Sequence, residues 1–362
     1  MTEIASQPDV RSRTLPAAAD VAAVVAQELS PRVGQIAAGE YPAAVLSALG
    51  AAGAFAAADM DVWTYERKRL EVIRTVARCC LATAFLVWCQ TAAVAYVRTG
   101  TSDWLRTEIL PQLETGRLFG GTGLSNAVKA LAGLERLRLR AVAADGGFRL
   151  TGTLPAVSNL GPGHWFGVVA QTDCRRIAAL VPTDAPGLEL IPRDRFVALN
   201  GTATYAVRFG DVLVPDRWVL AADADAWLAR IRPGFLLSQI GLGLGLADDV
   251  AAHVAHRLRR RPGITRWAAR LERRRHGVEK ALNAALAAPP ASEAAWRQLV
   301  RLRRAAGRLA LAAAETAVVA EGSAGYQAGS WASRRSREAW FVAILTPSLA
   351  QLELELAQGG RR

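Results

Sequence analysis

From about Leu118 to Leu220 the chain has no helical pattern of a dozen residues, although helical spacing dominates on both sides of that stretch. This change of period constrains the fold more than any other feature. Apolar residues recurring every three or four positions line one stripe of a helix, whereas alternation of period two lines one face of a strand. Before the change, from about Leu15 to Gln112, VAAVVAQEL, YPAAVLSALGAAGAFA and VIRTVARCCLATAFLVWCQTAAVAYV read as helices, punctuated by Pro31, Pro42, Gly50 and Gly53. Asp103-Trp104-Leu105 opens a further helix. The run from Ile73 to Val97 is apolar nearly all round, which predicts one central, buried helix.

In the middle zone, LRLRAVAADGGFRLTG is a hairpin pattern with Asp145-Gly146-Gly147 between two alternating runs. HWFGVVAQT, RIAALVP, LELIP and ATYAVRFGDVLVP follow as short strands, and with no helix between them the zone is expected to form an antiparallel β-domain. FRLTGTLPAVSN, residues 148–159, starts with Phe148, Leu150 and Gly152 on one face and Arg149, Thr151 and Thr153 on the other. It then passes through Leu154 and Pro155 to Ala156, Val157, Ser158 and Asn159. A strand edge that turns small and hydroxyl-bearing beside Pro and Gly is a place where a ligand can lie against backbone. From about Ala226 to Ala357 four long helical segments return, broken at Pro262-Gly263, Pro289-Pro290 and Gly322 to Gly329, and predict an up-down four-helix bundle.

A chain of 362 residues exceeds one ordinary core, so two or three packed units are expected. The hydrophobic fraction of 51% with only 16 prolines indicates a folded chain. No uninterrupted apolar run has the length of a membrane span: the nearest, Cys79 to Val97, carries Thr83, Gln90 and Thr91. The beginning, MTEIASQPDVRSRT, lacks the apolar centre of a secretory signal, so a cytoplasmic location is expected. Cys79, Cys80, Cys89 and Cys174 show no metal-ligand spacing and read as buried thiols. His253 and His256 share a helical spacing without a carboxylate to complete a metal site, and read as surface or capping residues. The net charge of +12 is almost all arginine, and nine arginines fall between Arg257 and Arg275. Their default reading is a solvated helix face, then an anion site, and last a nucleic-acid patch, since no recognition motif surrounds them.

The order of helices, β-domain and bundle, together with four motifs, resembles the acyl-CoA dehydrogenase family over nearly the whole chain. FGGTGLSN, residues 119–126, stands where that family has a flavin-cradling segment. GTLPAVSN stands where it places a Trp-Ile-Thr triplet and an Asn against the isoalloxazine ring. FGDVLVP resembles its closing strand, and GSAGYQAGSWASRRSREAWFVAILTPS its Gly-Gly-x-Gly-Tyr segment and the helix leading to its active-site turn. The resemblance implies an N-terminal helical domain (1–115), a central antiparallel β-barrel (116–222) and a C-terminal four-helix bundle (223–362), with FAD held between barrel and bundle. It implies cofactor contacts from Gly121, Thr122, Gly123, Ser125, Ala156, Val157, Ser158, Gly322, Gly325 and Ser348. Without it, GGTG and PAVSN read as turns capping strands.

This sequence departs from the family pattern in several places. The flavin-stacking Trp is Ala156, the second glycine of Gly-Gly-x-Gly-Tyr is Ser323, and RRRPGITRW replaces the Arg-x-x-Phe-Gly loop that holds a neighbouring subunit's adenosine pyrophosphate. Oxidising an acyl thioester at the α,β position needs a carboxylate to remove the α proton, while the flavin takes a hydride from the β carbon. The usual Glu position is Thr346, which cannot serve as that base, so the catalytic residue is unassigned. Asp248 and Asp249 read as solvated or capping residues, Glu338 as an ion-pairing residue, and Glu321 as a further carboxylate. Three functions follow: a flavin-dependent oxidoreductase acting on an acyl thioester of coenzyme A or a carrier protein, a flavin monooxygenase of the same fold, or a non-catalytic relative. A homodimer or homotetramer is expected, with no metal and no nucleic-acid partner.

Overall fold

The computed structural model describes residues 17–57, 59–258 and 262–358. Arg259, Arg260, Arg261 and the segment MTEIASQPDVRSRT lie outside the described residues. The first zone forms α1 (Ala17–Val24), α2 (Val33–Ala38), α3 (Ala43–Ala51), α4 (Val62–Cys79), α5 (Leu81–Thr99) and α6 (Leu110–Glu114). Asp61 starts α4 by accepting from the amides of Trp63 and Thr64. The run expected to be one helix is two, because the chain turns extended at Cys80 (φ −144°, ψ 117°). The carbonyls freed at the end of α4 find partners far along the chain: Arg335 donates to those of Ala77, Arg78 and Cys79, and Arg334 to that of Cys79. No local residue marks this break, so periodicity alone runs through it.

The middle zone forms β1 (Gly120–Thr122), α7 (Ser125–Leu131), β2 (Leu139–Ala144), β3 (Gly147–Val157), β4 (Trp165–Gln171), β5 (Arg176–Pro182), β6 (Leu188–Pro192), β7 (Tyr205–Pro215) and β8 (Val219–Ala221). They make one sheet in the order β6-β7-β3-β2-β4-β5-β8, with β1 beside β4. The β2–β3 hairpin closes on Asp145-Gly146, with Gly146 at φ +70°. The expected antiparallel pairing holds for most neighbours but not all. β1 runs parallel to β4, and β2 meets β4 in parallel at Arg140 and Gln171. A whole hairpin separates β1 from β4, and a connection that long allows two strands to point the same way. Along β3, Arg149, Thr151 and Thr153 face outward while Leu150 and Leu154 are buried, as the alternation predicts.

The third zone forms α8 (Ala224–Leu258), α9 (Thr265–Ala285), α10 (Glu293–Glu321), α11 (Trp331–Ile344) and α12 (Leu349–Gln358). The last of the four expected segments is thus split at Leu345 to Ser348, where the Thr346-Pro347 peptide is cis. Three glycines in the α8 sequence GLGLG set its packing. A Cβ on Gly241 would lie 2.6 Å from the Leu70 carbonyl of α4, one on Gly245 would strike the Arg74 carbonyl, and one on Gly243 would lie 2.5 Å from the Ala306 carbonyl of α10. Alternate glycines therefore let α4 and α10 both approach α8 backbone to backbone. The first and third zones share one apolar core, the sheet has its own, and a third cluster joins them through α5 and the start of α8. By length and composition α5 and α8 could cross a membrane, but 94% and 78% of their apolar windows are buried inside the protein, where the apolarity packs the core.

Candidate active-site cavity

A cavity of about 340 Å³ opens where the sheet meets α5, α8 and the end of α11. One wall is hydroxyl-bearing: Thr122, Ser158, Thr202 and Thr204 from the sheet side, with Ser125 and Thr346 beside them. The opposite wall is aromatic. Phe85 stacks on Trp88 at 5.6 Å, Phe341 meets Phe85 edge-on at 4.7 Å, and Phe235 meets Trp88 edge-on at 4.8 Å. The Trp88 indole donates to Ser238 Oγ, which fixes the ring from behind. Arg337 is the single charged side chain among the described lining residues, and it donates to the carbonyls of Ser333, Val197 and Ala328. No Asp or Glu is among the described lining residues.

The hydroxyl wall is held by buried polar groups. Gln90 accepts from the Gly120 amide at 2.7 Å, and buried Asn159 donates to the Gly120 carbonyl at 2.8 Å while accepting from the Tyr41 hydroxyl. Both peptide groups of Gly120 are thereby clamped. The residue must also be glycine, since a Cβ there would collide with the Cβ of Ala93 on α5. Gly120 thus lets β1 approach the protein's own helix α5, whereas Gly121 and Gly123 are packed against strand and loop atoms around Ser158, Leu154 and Gly167. Thr122 then sits 2.7 Å from the Tyr96 hydroxyl.

The turn carrying Thr346 is braced by a chain of buried groups. Ser125 and Thr346 share a hydroxyl hydrogen bond of 2.8 Å. Gln239 donates to the Thr346 carbonyl and accepts from Arg303, which also donates to the Val342 carbonyl. Arg303 is fully buried without a carboxylate partner among the described residues, and burial pulls its guanidinium down to about 10.

Of the residues expected at a cofactor, Thr122, Ser125, Ala156 and Ser158 line the cavity, as does Thr346. Gly121 and Gly123 flank Thr122 without lining it, and Val157 is buried in the sheet core. Ser348 caps α12 in a reciprocal pair with Gln351, and Gly322 and Gly325 lie in the 3₁₀ turn after α10. The aromatic wall, Thr202, Thr204 and Arg337 were not foreseen. Phe85 and Trp88 belong to a helix apolar all round, where nothing separates cavity wall from core, and Thr202 and Thr204 fall in and just after a short 3₁₀ turn before β7.

The four carboxylates weighed as bases are engaged elsewhere. Asp248 pairs with Arg74 and Arg275, and Asp249 accepts from Trp331 and Arg335, so both are mid-helix ion-pair partners rather than solvated caps. Glu338 is buried between Arg334 and Arg335, as an ion-pairing residue should be. Glu321 takes Arg257 and His253, and His253 also stacks on Trp331 at 4.1 Å, which makes it a packing residue rather than a surface or cap one. Arg266, Arg270, Arg273 and Arg274 form the solvated face expected of them. Cys80 and Cys89 are buried, but Cys174 is exposed in the loop joining β4 to β5, a position that a count of thiols does not reveal.

No protein-family model matches the sequence, and no curated protein matches it either. Solved structures do match in three dimensions. Butyryl-CoA dehydrogenase from Megasphaera elsdenii superposes with a TM-score of 0.84 at 16% identity, covering 98% of this chain and 100% of its own. A glutaryl-CoA dehydrogenase from Mycobacterium smegmatis in complex with FADH2 gives 0.80 at 19% identity, covering 94% and 92%. Dibenzothiophene monooxygenase from Paenibacillus sp. A11-2 gives 0.78 at 19% identity, covering 94% and 96%.

Proposed function

We propose that this chain, whose fold is that of the acyl-CoA dehydrogenases, is a flavin-dependent oxidoreductase with FAD as its cofactor. The observation that carries the reading is the cavity itself, about 340 Å³ with an aromatic wall facing a hydroxyl wall at the seam of sheet and bundle. Its size suits the ring end of a cofactor, at the small end of the roughly 300–1,000 Å³ of ligand pockets. The donor set fits an isoalloxazine, which has flat apolar faces and a polar edge of ring nitrogens and carbonyls. Thr122, Ser125, Ser158 and Thr346 are the groups that would hold the polar atoms, and Phe85, Trp88 and Phe235 those that would pack on the ring. When bound, the flavin supplies hydride acceptance from carbon or, in its reduced form, reaction with oxygen. Gly322 and Gly325 do not line this cavity, and we infer that they act from a second copy in a homodimer or homotetramer.

The first reading of the reaction is oxidation of an acyl thioester at the α,β position, in keeping with the dehydrogenases that share the fold. It requires a carboxylate at the α carbon, and the lining provides Thr346 where that group is expected. A second reading, monooxygenation of an organic substrate, requires no such base, and the lining without Asp or Glu favours it. Arg337, the charged residue among the described lining, is the group that would meet an anionic substrate group. The flavin-loaded protein distinguishes the two. Bleaching of the flavin under nitrogen by a series of acyl thioesters supports the first. Oxygen uptake with an organic substrate and externally reduced flavin supports the second. A protein inert in both assays overturns the assignment as an oxidoreductase.

A further inference from the structure

Three hydroxyls on the cavity wall form a chain whose direction is fixed. Thr202 Oγ1 lies 2.7 Å from the Leu199 carbonyl, 2.9 Å from Thr204 Oγ1, and Thr204 Oγ1 lies 2.7 Å from Ser158 Oγ. A carbonyl has no proton to give, so Thr202 must donate to Leu199. Each hydroxyl carries one proton, so Thr204 must then donate to Thr202, and Ser158 to Thr204. The proton of Ser158 is committed away from the cavity, and its oxygen faces a ligand only as an acceptor. Thr202 and Thr204 are both buried, which denies them solvent as an alternative partner.

The backbone around this chain is held in an unfavourable form. Asn159, Leu199 and Ala203 have φ of +64°, +61° and +44°, three of the four described non-glycine residues in that region. Strain of this kind persists where surrounding contacts over-determine it, and clusters at ligand sites. Here it places the Leu199 carbonyl and Thr202 so that the chain ends on an acceptor.

We propose that Ser158 is a redox-selective contact: it accepts a hydrogen bond from a ligand N–H, so the cavity binds reduced isoalloxazine in preference to oxidised. This rests on the flavin reading given above. Oxidised isoalloxazine has one ring N–H and otherwise presents acceptors along that edge. Two-electron reduction turns a ring acceptor into an N–H donor. Against a neighbour that can only accept, the oxidised ring meets lone pair against lone pair, and the reduced ring gains a bond.

The test is the ratio of dissociation constants for oxidised and reduced FAD, measured anaerobically on the whole chain, with the midpoint potential of the bound flavin as a second readout. Wild type is expected to bind the reduced form more tightly. Thr204→Val frees the Ser158 proton, so affinity for oxidised FAD should rise about fivefold, the size of one net hydrogen bond, with the reduced form little changed. Ser158→Ala should instead weaken the reduced form about fivefold with the oxidised form little changed. Either change lowers the midpoint potential by about 20 mV, at about 29.6 mV per tenfold for a two-electron couple. Equal loss for both forms in Ser158→Ala places the contact at an N–H common to both, and overturns the redox selectivity while leaving the flavin reading standing. Unchanged ratios in both variants overturn it likewise. Failure of wild type to bind either form overturns the flavin reading and this inference with it, and thermal melts of the variants exclude misfolding as the cause of a loss.

Discussion

Replacing Gly120 by Ala tests how the hydroxyl wall is positioned. The new Cβ would collide with the Cβ of Ala93, whereas its other near neighbours give more easily: Leu113 Cδ2 at 3.1 Å is the end of a flexible side chain, and the Trp165 carbonyl is at 3.8 Å. Ala93 lies on a helix buried at nearly every position, so α5 cannot retreat without disturbing all its neighbours. Overpacking of one methyl in a dense core costs about 1–3 kcal/mol. Ala93→Gly removes the opposing methyl and costs about 2 kcal/mol alone, from helix propensity and lost burial together. In the double variant the methyl simply changes sides, and the total should fall short of the sum of the singles by about 1–3 kcal/mol. Urea unfolding of the four proteins measures this coupling, and FAD titration should show affinity lost in Gly120→Ala and recovered in the double variant. Strictly additive stabilities would refute the claim that Ala93 is what requires glycine at 120.

Other substitutions report on the remaining supports. Gln239→Leu leaves Arg303 Nε and the Thr346 carbonyl without partners in the core and should cost about 3 kcal/mol by chemical denaturation. Trp88→Ala removes the buried centre of the aromatic wall and should lower stability by about 3–5 kcal/mol. Burial acts to raise the Glu321 carboxyl, but hydrogen bonds from His253 and Arg257 outweigh it and hold the group below its usual range. Its stabilising effect is therefore full above the ordinary carboxylate value and lost as pH falls through the depressed one. Glu321→Gln should cost about 1–2 kcal/mol near pH 7, with the difference from wild type vanishing in acid, as read from melting temperature against pH.

The three zones were legible because each buries residues at a period of its own. The β2–β3 hairpin followed from Asp145-Gly146, and the outward Arg149, Thr151 and Thr153 from simple alternation. The break at Cys80 was invisible because Arg334 and Arg335, which satisfy the freed carbonyls, lie more than 250 residues away. Motif order brought Thr122, Ser125, Ala156 and Ser158 to one cavity, yet most of its lining escaped notice. In a helix apolar on all sides, Trp88 facing a cavity and Leu86 facing the core have the same signature. The direction of the Ser158–Thr204–Thr202 chain is a property of distances, which no spacing along the sequence encodes.

Absorbance titration of the purified, ligand-stripped chain with FAD, beside Ser125→Trp, which fills the cavity from its own wall, tests the central claim most directly. The account predicts saturable, one-to-one binding with a perturbed flavin spectrum in wild type and its loss in a Ser125→Trp protein that melts normally. A wild-type protein that leaves the flavin spectrum unchanged at large excess, or a Ser125→Trp protein that binds as well as wild type, would contradict it.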